Sequence, residues 1–263
     1  MRKQAEEAMR LLLINGNTDA ALTARMVGLA RAEAAAGVEI AGATARFGAR
    51  YIASRAAAAI AAHAVLDAYA ETVVRDGEPD SVLIACFGDP GLFALREIAS
   101  VPVTGMAEAS ILLASALGQR IALLTGGAAW VPMLEEFAQA MGLAGRVVVR
   151  AVAASGHRIA RDPDAALASL AAEAQAAVAA DGAEVIVLGG AGLAGLAPRL
   201  SPLVSAPVLD SLACGVRFAL ALAALGVGPR ARQRGEEPSA CEGVGAALEA
   251  VLSGARQVRA ARS

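Results

Sequence analysis

Short apolar runs, each stopped by glycine or a polar turn and followed by a helical pattern, recur along the chain. Leu11-Leu12-Leu13-Ile14 stops at Asn15-Gly16-Asn17-Thr18, and Thr18 or Asp19 can cap a helix that carries Met26 and Leu29. Val38-Glu39-Ile40 begins a second strand, and a loop at Phe47-Gly48-Ala49-Arg50-Tyr51 precedes an Ala-rich helix to about Val74. Val82-Leu83-Ile84-Ala85 suits a buried strand or a buried helix, but Gly88-Asp89-Pro90-Gly91 stops it abruptly and favours strand. A helix through Leu95 and Ile98, a strand at Val101-Pro102-Val103-Thr104, and a helix opened by Glu108 that ends near Gly118 follow.

The pattern then starts again. Ile121-Ala122-Leu123-Leu124-Thr125-Gly126-Gly127 mirrors the opening strand and turn, and the helix of 130–141, a strand at Val147-Val148-Val149 and a helix of 162–180 come next. Val187-Leu188-Gly189-Gly190-Ala191-Gly192 stands where the Cys86 turn stood, Pro207-Val208-Leu209-Asp210 where Pro102 stood, and Cys214 and Gly215 fall on Ala109 and Ser110. The chain therefore reads as a duplicated α/β fold. Two similar Rossmann-like halves, each a mostly parallel four-stranded sheet with covering helices, should face each other across a cleft that holds the active site. The expected boundaries are 10–118 and 119–228, with 229–263 as linker, helix and tail; the helix within 240–255 is a candidate to cross back to the first half. The 228–238 segment is expected to be a flexible loop and 254–263 a solvated tail.

Composition narrows the partners. Hydrophobic residues make up 57% of the chain but aromatics only 3%, which suits close helix packing and poorly equips the chain for stacking on bases. A formal charge of −2 gives no electrostatic reason to expect nucleic acid or an anionic membrane. The first eight residues carry acidic groups and no apolar core, so no signal peptide is expected there, and apolar runs elsewhere are broken before spanning length. Cys86, Cys214 and Cys241 lack metal spacing and an even count, which favours a reducing cytoplasm. With His63 and His157 far apart, no metal is expected; the glycines of 189–192 lack the spacing of a nucleotide loop, and no cofactor is expected.

Cys86 carries the chemical reading. It lies at the carboxyl end of a strand, where open α/β sheets bind ligands and a nearby helix terminus favours thiolate; a buried structural cysteine is the alternative. The duplication places Asn15 and Cys86 on one wall and Thr125 and Gly190 on the other. A carbon held between them could lose a proton to one side and regain one from the other, which is what cofactor-independent inversion requires.

These motifs resemble the Asp/Glu/hydantoin racemase superfamily, and its hydantoin-racemase-like branch in particular. Asn15-Gly16-Asn17-Thr18 is similar to the family's opening motif. Ala85-Cys86-Phe87-Gly88-Asp89-Pro90-Gly91, with Pro102-Val103-Thr104-Gly105-Met106-Ala107-Glu108, resembles its first active-site region, and Leu188-Gly189-Gly190-Ala191-Gly192 its second. The resemblance implies that Cys86 is catalytic, that the substrate is a small carboxylate or hydantoin-like molecule, and that homo-oligomers are possible. It also implies a departure, because the family's second motif carries cysteine where Gly190 stands. A one-cysteine decarboxylase or lyase of the arylmalonate type, and a non-catalytic binding protein, are the other functions considered.

Around Cys86, the residues expected to bind substrate are Asn15, Asn17 and Thr18 with Thr125 and Gly126 opposite, the amides of Phe87, Gly88, Gly190 and Ala191, and the pair Arg50 and Tyr51. The first turn could equally be plain helix capping, and Arg50, Tyr51 and Arg55 a solvated loop. His63 reads as a helical pair with Asp67, Glu108 as dipole compensation and Asp89 as a turn residue. Cys214 is either a second base or a small buried side chain.

Overall fold

Among the described residues eight strands form two parallel sheets of identical strand order. The first runs β2 (Val38–Thr44), β1 (Met9–Asn15), β3 (Ser81–Ile84), β4 (Val103–Gly105); the second runs β6 (Val147–Val152), β5 (Ile121–Gly126), β7 (Val185–Gly189), β8 (Val208–Asp210). Strands β3, β5 and β7 are buried on both faces, which is why their sequences read as unbroken apolar runs rather than alternation. The computed structural model describes residues 8–226 and 241–253; the loop expected at 228–238 and the tail at 254–263 lie outside the described residues.

The two halves match bond for bond. Asp80 N–H donates to the Arg10 carbonyl at 2.9 Å, and Glu184 N–H to the Arg120 carbonyl at 2.8 Å. Val82 N–H and Ile186 N–H likewise donate to the carbonyls of Pro102 and Pro207, each at 2.9 Å. Counting along the strands from these bonds makes Asn15 equivalent to Thr125 and Cys86 equivalent to Gly190.

Helices α1 (Ala20–Glu33), α2 (Arg55–Asp76), α3 (Leu92–Ile98) and α4 (Met106–Ser115) belong to the first repeat. The second contributes α5 (Val131–Ala140), α6 (Gly156–Arg161), α7 (Pro163–Asp181), α8 (Ala197–Leu200) and α9 (Ser211–Ala224). Helix α4 leaves the first sheet and packs on β5 and β7 of the second, while α9 leaves the second and packs on β3 and β4 of the first. The two also pack on each other, so the halves are joined by an exchange of helices. Helix α10 (Ala246–Leu252) returns to α2 in the first half.

Several local expectations change. Asp19 rather than Thr18 caps α1, its carboxylate accepting the Leu22 N–H at 3.1 Å. Helix α4 starts two residues before Glu108, because the Asp89 carboxylate accepts the N–H groups of Ala107 at 2.9 Å and Glu108 at 2.8 Å. A Cβ on Gly105 would lie 2.0 Å from that carboxyl, so only glycine fits beside this cap. In the second half Asp210 occupies the station of Gly105 and caps α9 itself, through Leu212 at 3.0 Å and Ala213 at 3.3 Å. The short α6 and α8 have no clear apolar period and were not anticipated. Glu108 forms an ion pair with Arg96.

His63 and Asp67 do not make the expected helical pair. Asp67, 1% exposed, accepts two bonds from Arg46 at 2.9 Å each, and the His63 ring meets the Phe47 ring edge-on at 5.0 Å. Among the described residues α2 is long and apolar enough to cross a membrane by length and composition. Half of that apolar window is nevertheless buried, against β1, β2, α3 and α10.

Candidate active site

The carboxyl ends of β1, β3, β5 and β7 converge on a cavity of about 230 Å³ between the halves. That volume is below the range of about 300–1,000 Å³ usual for drug-sized ligands. From the first half Asn17, Arg50, Tyr51, Cys86 and Phe87 reach it; from the second, Thr125, Gly126, Gly190 and Ala191. Asn15, Thr18 and Gly88 stand outside the lining. Asn15 is fully buried and donates to Asn17 Oδ1 at 2.8 Å and to Thr23 Oγ1 at 3.0 Å. Asn17 Oδ1 also accepts the Asp19 N–H at 2.9 Å, so the Asn17 oxygen is committed and its NH2 group is left for the cavity. Asn15 is thus a positioning residue, one layer behind the wall.

Thr18 ties the first turn to the loop ahead of α2, its N–H donating to the Ala49 carbonyl at 3.2 Å. That loop is anchored rather than solvated at Tyr51. The Tyr51 hydroxyl donates to the Gly126 carbonyl at 3.1 Å and accepts the Gly156 N–H at 3.3 Å, so one side chain of the first half holds two turns of the second. Arg55 does likewise farther out, in an ion pair with Glu136. Arg50 is exposed at the cavity mouth. Gly88 faces away, against the Trp130 ring.

Cys86 is 8% exposed and stands two residues beyond β3. Burial first, and the neighbouring Asp89 charge second, push its thiol up to about 12. Sequence position favours a thiolate at Cys86, whereas burial favours the neutral thiol. Asp89, itself buried, is pushed up to about 7, against the two helix N–H bonds that favour its charge. Phe87 presses its ring onto β7 at Gly189, where a Cβ would lie 2.3 Å from it.

Opposite Cys86, Gly190 has φ of +126° and open space in front of it, a Cβ there meeting only Leu193 at 3.8 Å. Its N–H is directed to Ser211 Oγ at 3.4 Å, so of the expected turn amides those of Phe87, Gly88 and Ala191 are used by no turn bond, and of these Phe87 and Ala191 border the cavity. Cys214 stands in the position of a small buried side chain rather than at the cavity wall. It is buried in α9 away from the cavity lining, and burial pushes its thiol up to about 11.

Some lining residues were missed by sequence reasoning. Arg25 of α1 and His157 and Arg161 of α6 all border the cavity. Helix α6 gives no strong periodic signal, and Arg25 belongs to no motif that would single it out along α1. His157 stands too far along the chain from His63 to suggest a shared metal site, and no other motif marks it.

The sequence profile of the Asp/Glu/hydantoin racemases matches residues 11–219. A hydantoin racemase of Pseudomonas sp. (strain NS671) is 34% identical over 222 residues, which is 83% of this chain and 87% of that protein. The solved structure of an allantoin racemase from Klebsiella pneumoniae superposes with a TM-score of 0.80 at 32% identity, covering 89% of this chain and 96% of that one. An arylmalonate decarboxylase shares the fold at a TM-score of 0.58 and 19% identity, covering 84% of this chain and 96% of its own. With its duplicated sheets, facing turns and matched motifs, the chain belongs to the Asp/Glu/hydantoin racemase family.

Proposed function

We propose that the chain is a cofactor-independent isomerase that inverts the carbon beside a ring carbonyl in a 5-substituted hydantoin or a related cyclic ureide such as allantoin. The observation that carries this reading is the position of Cys86, a protonated thiol at a strand end, facing the equivalent turn of the other half across a small cavity. Substrates of this chemistry are also those named for the two similar racemases.

The substrate ring lies between the two turns. A base on the second-half wall takes the proton at carbon 5, the bonding pair moves into the carbonyl as an enolate, and Cys86 returns a proton to the opposite face. The resulting thiolate and protonated base re-equilibrate through solvent. Gly190 leaves that wall without a thiol, and His157 is the titratable side chain beside it: its neighbour Gly156 packs on Gly192, where a Cβ would fall 2.1 Å from the Gly156 carbonyl oxygen. The free N–H groups of Phe87 and Ala191 and the Asn17 NH2 are the donors available to the enolate oxygen.

A second reading is favoured by the single thiol. In a one-sided decarboxylase, carbon dioxide leaves with its bond cleaved toward the enolate, and Cys86 protonates the carbon from one face only. Deuterium incorporation at the α carbon of 5-substituted hydantoins and allantoin, run beside aryl malonates, tells the two apart. Exchange with loss of optical activity supports the isomerase; carbon dioxide release from malonates without hydantoin exchange overturns it. Cys86→Ala should lower turnover by a factor on the order of 100 to 10,000 with ligand affinity little changed.

A further inference from the structure

The cavity is cationic. Arg25, Arg50 and Arg161 border it, and Asp19 is the lone carboxylate in its lining. Asp19 is already engaged as the cap of α1. None of the three arginines forms an ion pair among the described residues, whereas Arg46, Arg55, Arg96, Arg150, Arg199 and Arg217 all do. A surplus of unpaired guanidinium groups around so small a space selects for an anion.

Arg25 gives the second observation. Its Nη2 donates to the Ala194 carbonyl at 2.8 Å, fixing the side chain of α1 across the cleft onto the loop after β7. Its Nη1 is buried and has no hydrogen-bond partner. A buried guanidinium N–H with no acceptor is costly, and a ligand oxygen at the cavity wall would satisfy it. The open space before Gly190 lies on the same side, next to the loop that holds Arg25.

Resting on the isomerase reading above, we propose that the preferred substrate carries a carboxylate at the end of its 5-substituent, directed past Gly190 toward Arg25 with Arg161 and Arg50 as supporting charges. The ring takes the turn donors near Cys86, and the acid arm fills the room that a second thiol would occupy. Planar guanidinium groups suit this role because they bind a carboxylate in a fixed geometry that an ammonium does not.

The test compares two probes that differ only in charge: 5-(2-carboxyethyl)hydantoin and its amide, 5-(2-carbamoylethyl)hydantoin. Calorimetry on the full chain should show the acid binding at least about tenfold more tightly than the amide, as one charge-assisted bond of about 1.5–3 kcal/mol implies. That preference should shrink in Arg25→Gln. It should also shrink in Arg161→Gln, whose exposed position on α6 makes the variant safe for folding, and in high salt. Equal affinities, a preference for the amide, or no binding of either would overturn the proposal. Exchange at carbon 5 is read separately. Exchange of neutral hydantoins with no acid preference removes the acid arm and leaves the isomerase; an arginine-dependent acid preference with no exchange removes the isomerase and keeps the anion site.

Discussion

Cys86 and Gly190 stand at the same station of two equivalent strand-turn units and face one cavity, yet one presents a thiol and the other only backbone. The pseudo-symmetry of the fold is therefore broken at the station that carries the thiol in the first half. The first-half turn keeps Asp89 buried beside the thiol, and the second-half turn is covered by α6, which brings His157 and Arg161 to the wall.

Thiol reactivity should follow burial rather than catalytic importance. Iodoacetamide at neutral pH is expected to modify exposed Cys241 first and to leave Cys86 and Cys214 slow, because burial pushes the latter two up to about 12 and about 11. Peptide mapping of the alkylated chain over a pH series checks this. If Cys86 reacts as fast as Cys241 at pH 7 with the cavity empty, the neutral-thiol resting state is wrong.

Asp89 should leave a signature in stability against pH. Its folded carboxyl is pushed up to about 7 by burial, above the ordinary unfolded value of about 3.9. The folded state then binds the extra proton between these values, so this contribution to stability is full below about pH 4 and is lost as pH rises through about 7. Asp89→Asn has no such proton to lose. Urea unfolding at successive pH values should show wild type losing ground to the variant between pH 4 and 7, by up to about 4 kcal/mol. A difference that grows in favour of wild type would mean that the two helix N–H bonds hold the carboxyl ionised.

Tyr51 is the tie between a first-half loop and two second-half turns. Tyr51→Phe keeps the ring and removes both bonds, so the Gly126 carbonyl and the Gly156 N–H lose a partner. We expect a stability loss of about 1–3 kcal/mol by urea unfolding. The Michaelis constant should rise at the same time, since Gly156 positions the adjacent His157. Unchanged kinetics with reduced stability would make Tyr51 a structural strut alone.

The architecture was legible because the central strands β1, β3, β5 and β7 are short apolar runs, each closed by a turn that contains glycine, and because the same punctuation occurs twice. Asn15, Cys86 and Pro102 could be set against Thr125, Gly190 and Pro207 by spacing, and the backbone bonds give the same equivalences. What spacing could not show was depth. Asn15 and Asn17 are two residues apart, yet one lies behind the wall and the other in it. Cap chemistry was half legible: Asp210 sits next to the helix it caps, whereas Asp89 caps one that starts 17 residues later. The residues of α6 were illegible because a six-residue helix carries too little periodicity to announce a face, and because its role depends on the Tyr51 and Gly192 contacts that bring it to the cavity.

Gly190→Cys tests the asymmetry directly. Space favours the change, since a Cβ there meets nothing nearer than Leu193 at 3.8 Å. Backbone opposes it, since φ of +126° is a conformation that side-chain-bearing residues resist at a cost of about 1–3 kcal/mol. The variant should therefore fold with reduced stability, and a thiol should face Cys86 across the ring. Racemisation of a neutral 5-substituted hydantoin should then increase, because the second face gains a thiol at the station equivalent to Cys86 in addition to the base of that wall. Binding of the acid-bearing hydantoin should weaken, because the new side chain takes the room of its arm. Polarimetry on both substrates, with urea unfolding on the protein, reads all of these effects. If racemisation of the neutral hydantoin falls to the level of Cys86→Ala while the variant remains folded, the second-half wall supplies its base from a position that the new thiol blocks. The opposing turn would then be something other than the vacant seat of a lost thiol.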